Sequence, residues 1–359
     1  MNARPEVEAS VRYRLLGRSG VRVSELALGT MTFGEKMSWG VDERTSRLIL
    51  DAFAEAGGNF LDTANIYAGG NAERVLGDFL RSERERFVVG TKYTLQTRAG
   101  DLNSAGNHRK NMVQSVEASL RSVGTDYLDV LWVHTRETWT PVIEVMRGLD
   151  DLVRSGKVLY VGVSDWPAWE VAQANTMAEL RDWTPFVGLQ SRYNLLERTP
   201  ERELVPMADA FDLAIVAWGP LAEGRLTGKY LHGAQGRLGD DEAKEIFHHS
   251  RTGPDETVRL VAKIAADIGS TAAQVAIAWL SARRGNVIPL LGATSITQLQ
   301  ENLASVDVSL DADQLRVLDE ATAPSLGFPH DLLRRSNVTE GTYGDQWHLV
   351  DDRRTRSTH

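Results

Sequence analysis

The feature that most constrains the fold is a regular alternation of short apolar runs with longer amphipathic stretches. The unit repeats about eight times, which is the strand number of a closed α/β barrel. The predicted strands are Leu26–Leu28, Asn59–Leu61, Phe87–Gly90, Tyr127–Val133, Val158–Val163, Phe186–Leu189, Leu213–Ala217 and Val287–Leu291. Between them, apolar residues recur at helical spacing, as Val113, Val116 and Leu120 do within Met112–Val123. A second predicted helix, Val142–Val153, has a buried face of Val145, Met146, Leu149 and Leu152.

Most of these runs are continuously apolar, which is typical of parallel strands buried on both faces. Alternating strands and helices fit either a doubly wound sheet or a closed barrel. No Gly-x-Gly-x-x-Gly motif follows the first strand, so the dinucleotide-binding doubly wound sheet lacks its usual marker. The sequence therefore predicts a (β/α)8 barrel.

The barrel has predicted additions at both ends and at its mouth. The short runs Arg12–Leu16 and Val21–Ser24, separated by Gly17–Gly20, predict an N-terminal β-hairpin. Long loops are predicted over Leu95–Asn111 and Gly219–Gly253, on the C-terminal face of the barrel, where such loops usually serve substrate or cofactor. We expect a disordered N-terminus over residues 1–11, a single barrel domain over 12–323, and a tail over 324–359. The tail either packs near the barrel mouth or is partly disordered.

Composition narrows the class of protein. The chain has 359 residues, a net charge of -9 and no cysteine. An acidic chain is not expected to bind nucleic acid, and thiolate metal sites, disulfides and cysteine nucleophiles are excluded. The polar stretch Met1–Ser10 does not resemble a signal peptide, and no apolar run is long enough to span a bilayer. We expect a cytoplasmic protein that is a monomer or a homo-oligomer.

Four polar side chains follow neighbouring predicted strands. Asp62 ends the second strand and its loop presents Tyr67, Lys92 ends the third strand, and His134 ends the fourth. In a barrel of this type the catalytic groups lie where the strands end. Each residue also has a structural explanation: a turn cap for Asp62, loop packing for Tyr67, a solvated lysine, a hydrogen-bonded core histidine. Their shared placement favours a site.

The four side chains suit the reduction of a carbonyl group. Hydride addition leaves an alkoxide that needs a proton, and a phenol can supply it, although a free phenol titrates near pH ~10. At about 4 Å and an effective dielectric of about 20, a lysine cation attracts the phenolate by roughly 4 kcal/mol before desolvation. We therefore expect Lys92 to lower the pKa of Tyr67. Asp62 is expected to orient Lys92, and His134 to polarise the carbonyl oxygen. The hydride must come from a cofactor.

These motifs resemble those of the aldo-keto reductases. Gly57–Tyr67 (GGNFLDTANIY) is similar to the first signature of that family, Gly124–Asp129 leading to His134 is similar to the second, and Gly156–Ser164 is similar to a third. The resemblance extends from about residue 12 to residue 323. It implies the barrel, a site formed by Asp62, Tyr67, Lys92 and His134 with Tyr67 as proton donor, and NADPH or NADP+ as cofactor, with NAD as a possible alternative.

The resemblance also implies how the cofactor is bound. Ser164, Asp165 and Gln190 match positions that hold the carboxamide, and Trp218 matches a residue near the nicotinamide. Gly219, Pro220, Leu221 and Lys229 lie in a segment similar to the pyrophosphate-binding one. Gly292, Thr294, Gln298, Glu301 and Asn302 resemble the adenosine end. Further cofactor contacts are predicted for Gly29, Thr30, Met31, Asp62 and Arg237.

The chain departs from the family pattern at three places. Many relatives have serine where Gly219 stands and glycine where Glu223 stands. They often carry a basic residue at the position of Thr294 or Gln298, where this chain is neutral, so that Lys229 and Arg237 are left to bind a 2′-phosphate. After His134 relatives often show an aromatic residue and then aspartate, but this chain has Arg136 and Glu137.

Several alternatives stay open. Trp39, Trp139 and Trp166 either line the mouth, together with Tyr67 and His134, or pack the loops; the first case favours a ring-bearing small molecule as substrate. The chain is either a reductase of aldehydes or ketones or a nicotinamide-binding regulatory or scaffold subunit. A metal-dependent hydrolase would have only Asp62, His134 and Asp165 as ligands, since His248 and His249 lie in a loop. No metal is expected.

Overall fold

The computed structural model describes residues 11–233, 239–240 and 255–351. The predicted hairpin is confirmed: strands β1 (Tyr13–Leu15) and β2 (Arg22–Ser24) pair antiparallel, with Arg14 opposite Val23. Val11 is buried in the core, so the predicted disordered N-terminus is too long by this residue. Residues 1–10 lie outside the described part of the chain.

Eight parallel strands close into a barrel, as predicted. In chain order they are β3 (Ala27–Gly29), β4 (Phe60–Asp62), β5 (Val88–Tyr93), β6 (Leu128–Val133), β7 (Val158–Ser164), β8 (Phe186–Arg192), β9 (Ala214–Trp218) and β10 (Val287–Leu291). Each strand pairs with the next, and β10 closes the ring by pairing with both β9 and β3. The strands are buried almost throughout, because one face is covered by helices and the other fills the barrel interior.

Helices connect the strands and cover the barrel. They are α1 (Glu43–Glu55), α2 (Asn71–Leu80), α3 (Arg109–Val123), α4 (Val142–Arg154), α5 (Ala168–Leu180), α6 (Pro200–Ala210), α7 (Asp255–Asp267), α8 (Ala272–Ser281), α9 (Ile296–Leu303), α10 (Ala312–Thr322), α11 (His330–Leu333) and α12 (Ser336–Tyr343). Short 3₁₀ turns lie at Tyr67–Gly70, Arg84–Arg86, Leu102–Ser104, Ala222–Thr227, Lys229–His232, Ala304–Asp307 and Trp347–Leu349.

The predicted helix faces are confirmed for α4 and partly wrong for α3. All four apolar residues predicted for the buried face of α4 are buried. In α3, Val116 and Leu120 are buried, but Val113 is exposed. Met112 takes its place, because Met112, Val116 and Leu120 are separated by four residues and share one side of a helix.

Trp132 of β6 fills the barrel interior, and three glycines on other strands make room for it. A Cβ atom on Gly90, Gly162 or Gly188 would lie 2.5, 2.3 or 3.0 Å from the indole of Trp132. Strands β5, β7 and β8 supply these glycines, so the bulky side chain and the small residues are matched across the barrel.

The loops that follow β5 and β9 are long and lie at the C-terminal ends of the strands. The first ends earlier than predicted, because α3 begins at Arg109. The second contains 3₁₀ turns at Ala222–Thr227 and Lys229–His232, and most of its remainder lies outside the described residues.

The described part of the tail begins against the N-terminal turn of α6. Leu326 is buried, the Arg202 guanidinium donates to the Phe328 carbonyl oxygen at 3.0 Å, and His330 lies 3.0 Å from Glu203. Because α6 follows β8, this contact lies toward the end of the barrel at which the strands terminate.

In the described residues, no single helix is long and apolar enough to cross a membrane. Among the helices of the described ranges, the pair α7 and α8, which is bent by 97°, has the length and composition of a span when taken together. Most residues of α8 are buried within the protein, as is common for core helices.

Candidate active site

The four predicted catalytic residues lie together at the C-terminal ends of β4, β5 and β6. The Lys92 ammonium donates hydrogen bonds to Asp62 Oδ2 and, at 2.9 Å, to the Thr63 carbonyl oxygen. It lies 4.8 Å from the ring centroid of Tyr67, whose ring meets that of His134 edge-on at 5.9 Å. Asp62 and Lys92 are 1% and 2% exposed. The arrangement is therefore a buried ion pair beside a phenol and an imidazole.

The backbone after β4 explains how Tyr67 reaches this cluster. Ala68, Gly69 and Gly70 all have positive φ, at 48°, 68° and 91°. This left-handed stretch, which glycine adopts without strain, turns the chain sharply after Tyr67 and leads directly into α2.

Burial dominates the titration of the site. It raises the pKa of Tyr67 above its ordinary value, and the opposing charge of Lys92 does not compensate. The predicted lowering of this pKa is therefore wrong, because the phenolate loses more hydration than the lysine returns. Burial would lower the pKa of Lys92, but Asp62 and Tyr67 together raise it, so the ammonium stays charged.

His134 is held neutral. Burial, and then the charge of Lys92, lower its pKa to about 3. Its Nδ1 atom is buried with no hydrogen-bond partner among the described residues. A neutral imidazole carries a single N–H, which can donate to a substrate oxygen.

The predicted carboxamide site adjoins the ion pair. Gln190 Nε2 donates to Asp62 Oδ1 at 2.5 Å, and the Trp218 indole donates to Asp165 Oδ1 at 3.1 Å. The Ser164 hydroxyl also bonds Asp165, whose pKa burial raises. Gln190, near the end of β8, thus contacts Asp62, and Ser164, Asp165 and Trp218 lie at the ends of the strands on either side of β8.

The predicted pyrophosphate segment follows β9 in a tightly turned conformation. Gly219 and Gly224 have φ of 64° and 91°, and a Cβ atom on Gly224 would lie 2.9 Å from Lys229 Cε. Pro220 is buried and Leu221 is half-buried. Backbone of this kind, beside a lysine, can approach a phosphate closely. Arg237 lies outside the described residues.

The predicted adenosine end lies where β10 meets α9. Gln298 Oε1 accepts hydrogen bonds at 2.9 Å from the backbone N and the hydroxyl of Thr294, so these two residues are joined. Ser295 caps α9, and a Cβ atom on Gly292 would meet open space. Glu301 is exposed, whereas Asn302 is buried.

The end of β3 lies between the predicted catalytic residue Asp62 on β4 and the predicted adenosine site after β10. Gly29 is the last residue of β3, which pairs with β4 beside Asp62 and with β10. Thr30 is buried and its hydroxyl has no partner among the described residues, and Met31 is half-buried. The predicted cofactor contacts thus form a continuous arc from β7 through β10 to β3. Glycines at positive φ, a lysine and an unpaired hydroxyl along this arc fit an extended dinucleotide.

The three tryptophans predicted near the mouth have different environments. Trp166 is 2% exposed and packs against Phe186 and under the Arg136 guanidinium, which favours the packing interpretation for this residue. Trp139 is 94% exposed, and Trp39 is half-buried.

Both unusual residues after His134 brace loops. Arg136 forms two hydrogen bonds, of 2.6 and 2.9 Å, with the Glu170 carboxylate. Glu137 accepts from the backbone N atoms of Asn107 and Trp139, at 3.0 and 2.7 Å.

One residue near the site escaped the sequence reasoning. Arg192 ends β8, lies 5.8 Å from the Trp218 ring and pairs with Glu223. Its position two residues after Gln190, on the same face of a strand, was the available signal.

Within the described ranges, no three His, Asp or Glu side chains lie close enough together to hold a metal ion. Asp62 is instead occupied by Lys92 and Gln190, and Asp165 by Trp218. His248 and His249 lie outside the described residues.

Taken together, the fold and the site define a (β/α)8-barrel protein with a buried acid–lysine pair, a phenol and an imidazole at the ends of its strands. The sequence profile of the aldo/keto reductase family matches residues 25–323. This chain belongs to that family, and it is an oxidoreductase that acts on carbonyl or alcohol groups.

Named relatives cover nearly the whole chain. Norsolorinic acid reductase of Aspergillus flavus is 37% identical over 355 residues, covering 94% of this chain and 89% of the relative. Aldo-keto reductase ausK of Aspergillus calidoustus is 34% identical, covering 90% and 85%. Aryl-alcohol dehydrogenase [NADP(+)] of Phanerodontia chrysosporium is 35% identical, covering 87% and 86%.

Proposed function

We propose that this protein interconverts a carbonyl group and an alcohol with NADP(H), and that Tyr67 is the general acid and base. The observation that carries the proposal is the position of Lys92, which is tied to Asp62 and lies 4.8 Å from the Tyr67 ring. A phenol beside a fixed cation is suited to lose and regain a proton at one atom.

Each of the four side chains has a distinct part in this proposal. Tyr67 is protonated at neutral pH, since burial raises its pKa, and it is therefore ready to donate its proton to the developing alkoxide. Lys92 stabilises the phenolate that remains, and Asp62 keeps Lys92 charged and in place. His134, neutral because its pKa lies at about 3, donates a hydrogen bond to the carbonyl oxygen.

The cofactor, when bound, supplies or accepts the hydride. Ser164, Asp165 and Gln190 would hold its carboxamide, and the segment from Gly219 to Lys229 would receive its phosphates. Lys229 supports NADP over NAD, as does the name of the Phanerodontia relative, which specifies NADP(+). Neutral Thr294 and Gln298 leave NAD as the alternative.

For the substrate we propose a small aldehyde, ketone or alcohol attached to an aromatic ring. The names of two relatives refer to norsolorinic acid and to aryl alcohols. In this proposal Trp39, which is half-buried, and Trp139, which is exposed, would contact the ring.

The test has two stages. NADPH fluorescence is first titrated with the protein, and NADPH oxidation is then followed with benzaldehyde and substituted benzaldehydes. We expect saturable binding and turnover. Binding without turnover of any aldehyde or ketone would favour the regulatory subunit instead, and no binding of either NADPH or NADH would refute the proposed cofactor.

A further inference from the structure

Positions 219 and 223 exchange small and large residues relative to the family pattern. Where many relatives have serine and then glycine, this chain has Gly219 and Glu223. Both positions have left-handed backbone, with φ of 64° and 54°. Glycine is the residue that this conformation favours, so a glutamate at position 223 is held there against its backbone preference.

The Glu223 side chain lies in the space that the missing side chain at position 219 leaves. Its Oε1 atom is 3.2 Å from where a Cβ atom on Gly219 would stand, and the side chain is only 3% exposed. A serine at position 219 would therefore crowd this carboxylate. The two departures are structurally linked, because a side chain at position 219 would force the Glu223 carboxylate to shift.

Arg192 holds the carboxylate in place. Its guanidinium lies 3.6 Å from Glu223 Oε2. Arg192 ends β8, directly opposite Trp218 of β9, and it lies 5.8 Å from the Trp218 ring. Since Trp218 donates to Asp165, the ion pair connects the phosphate segment with the predicted nicotinamide end.

Glu223 brings negative charge into a segment that is otherwise basic. The cationic side chains there are Arg192, Lys229 and Arg225, and Arg225 is paired with Asp255 at 3.2 Å. A dinucleotide presents negative phosphates to the same segment. In a largely buried environment a carboxylate repels such a ligand and also neutralises the nearest cation.

We propose that Glu223 sets the affinity for the cofactor: paired with Arg192 and accommodated by Gly219, it weakens the binding of dinucleotide phosphate and so speeds release. The inference rests on the proposed function. It assigns to Glu223 a role as an affinity determinant that does not touch the reacting atoms.

The first test removes the negative charge of Glu223 and keeps the size of its side chain. Glu223→Gln should lower the Kd for NADPH, measured by fluorescence titration, by about three- to tenfold. Arg192→Gln should raise the Kd. The control is Glu83→Gln, which removes one exposed carboxylate, paired with Arg86, near the N-terminal end of β5 and should leave the Kd unchanged.

The results separate this inference from the proposed function. If the wild type binds NADPH but Glu223→Gln leaves the Kd unchanged or raises it, the role of Glu223 is refuted and the proposed function stands. If neither protein binds NADPH or NADH, both proposals fail.

The second test measures the link between the two positions without any cofactor. Gly219→Ser should lower the Tm of the unliganded protein by several degrees, because of crowding and of the positive φ. In a Glu223→Gly background the same substitution should cost clearly less. Equal shifts in the two backgrounds would show that the carboxylate does not occupy the space beside position 219.

Discussion

Replacing Lys92 by methionine tests the buried ion pair on which the account of the site depends. Methionine approximates the length of the lysine stem but carries no charge. The substitution leaves the Asp62 carboxylate, which is 1% exposed, with a hydrogen bond from Gln190 but without its cation. The Thr63 carbonyl oxygen also loses a hydrogen bond of 2.9 Å.

The expected loss of stability follows from the burial of this pair. Removing one partner of a buried ion pair costs about 3–5 kcal/mol, because the other charge remains without compensation. A domain of roughly 300 residues has an unfolding entropy of about 0.6 kcal/mol per degree near its Tm. The Tm should therefore fall by about 5–8 °C.

The pH dependence of this loss is also determined. Burial already raises the pKa of Asp62 in the folded state despite Lys92, and loss of that opposing charge raises it further. Protonation then favours the folded state, so the deficit should shrink as the pH is lowered from 7 toward 5. The double variant Lys92→Met, Asp62→Asn should recover most of the loss at pH 7.

Thermal and urea unfolding followed by circular dichroism measure these differences. The matched control is Lys157→Met, which removes an exposed ion pair with Glu117 and should cost less than about 1 kcal/mol. If Lys92→Met were no more destabilising than Lys157→Met, or if the double variant were less stable than the single one, Asp62 and Lys92 would not be a buried charged pair.

Three further predictions follow from the site and the core. The kcat/KM for reduction should be level from about pH 6 to pH 9, because burial keeps Tyr67 protonated. The rate of alcohol oxidation should rise with pH, because this direction needs the phenolate. A reductive kcat/KM that fell through pH 7 would contradict the raised pKa of Tyr67. The pKa of His134 is about 3 in the folded protein and near 6.5 in the unfolded chain, so below pH 6.5 proton binding favours unfolding, by about 2 kcal/mol at pH 5. His134→Gln should therefore make the Tm less sensitive to acid over that range. Equal acid sensitivity of the Tm in the variant and the wild type would refute the low pKa of His134. Gly162→Ala should destabilise by about 1–3 kcal/mol, because its Cβ would lie 2.3 Å from Trp132, while Gly20→Ala, with open space around it, should be nearly neutral in the same melts.

The fold and the four central residues were predictable because barrel geometry is periodic. Continuous apolar runs predict strands buried on two faces, and the first polar residue after each run lies at the mouth. This is why Asp62, Lys92 and His134 were predictable from strand ends alone. Tyr67 was predictable because it lies in the loop that follows Asp62. The family signatures then gave expected roles.

Properties that depend on three-dimensional burial were not predictable in the same way. The direction of the Tyr67 pKa depends on the balance between lost hydration and the charge of Lys92, and sequence reports only the second. The packing of Trp166 under Arg136 requires two loops to meet. Glu223 was visible in the sequence as a departure from the family pattern, but its ion pair with Arg192 depends on how the fold places the loop after β9 beside the end of β8.

The most direct test of the central claim is a single-turnover measurement on Tyr67→Phe. Phenylalanine keeps the ring that packs against Lys92 and His134 and removes only the hydroxyl. We predict unchanged NADPH binding and a Tm within a few degrees of the wild type, with oxidation of bound NADPH by an aromatic aldehyde slowed by about 100-fold or more. Oxidation at a rate within a few-fold of the wild type would contradict the assignment of Tyr67 as the proton donor.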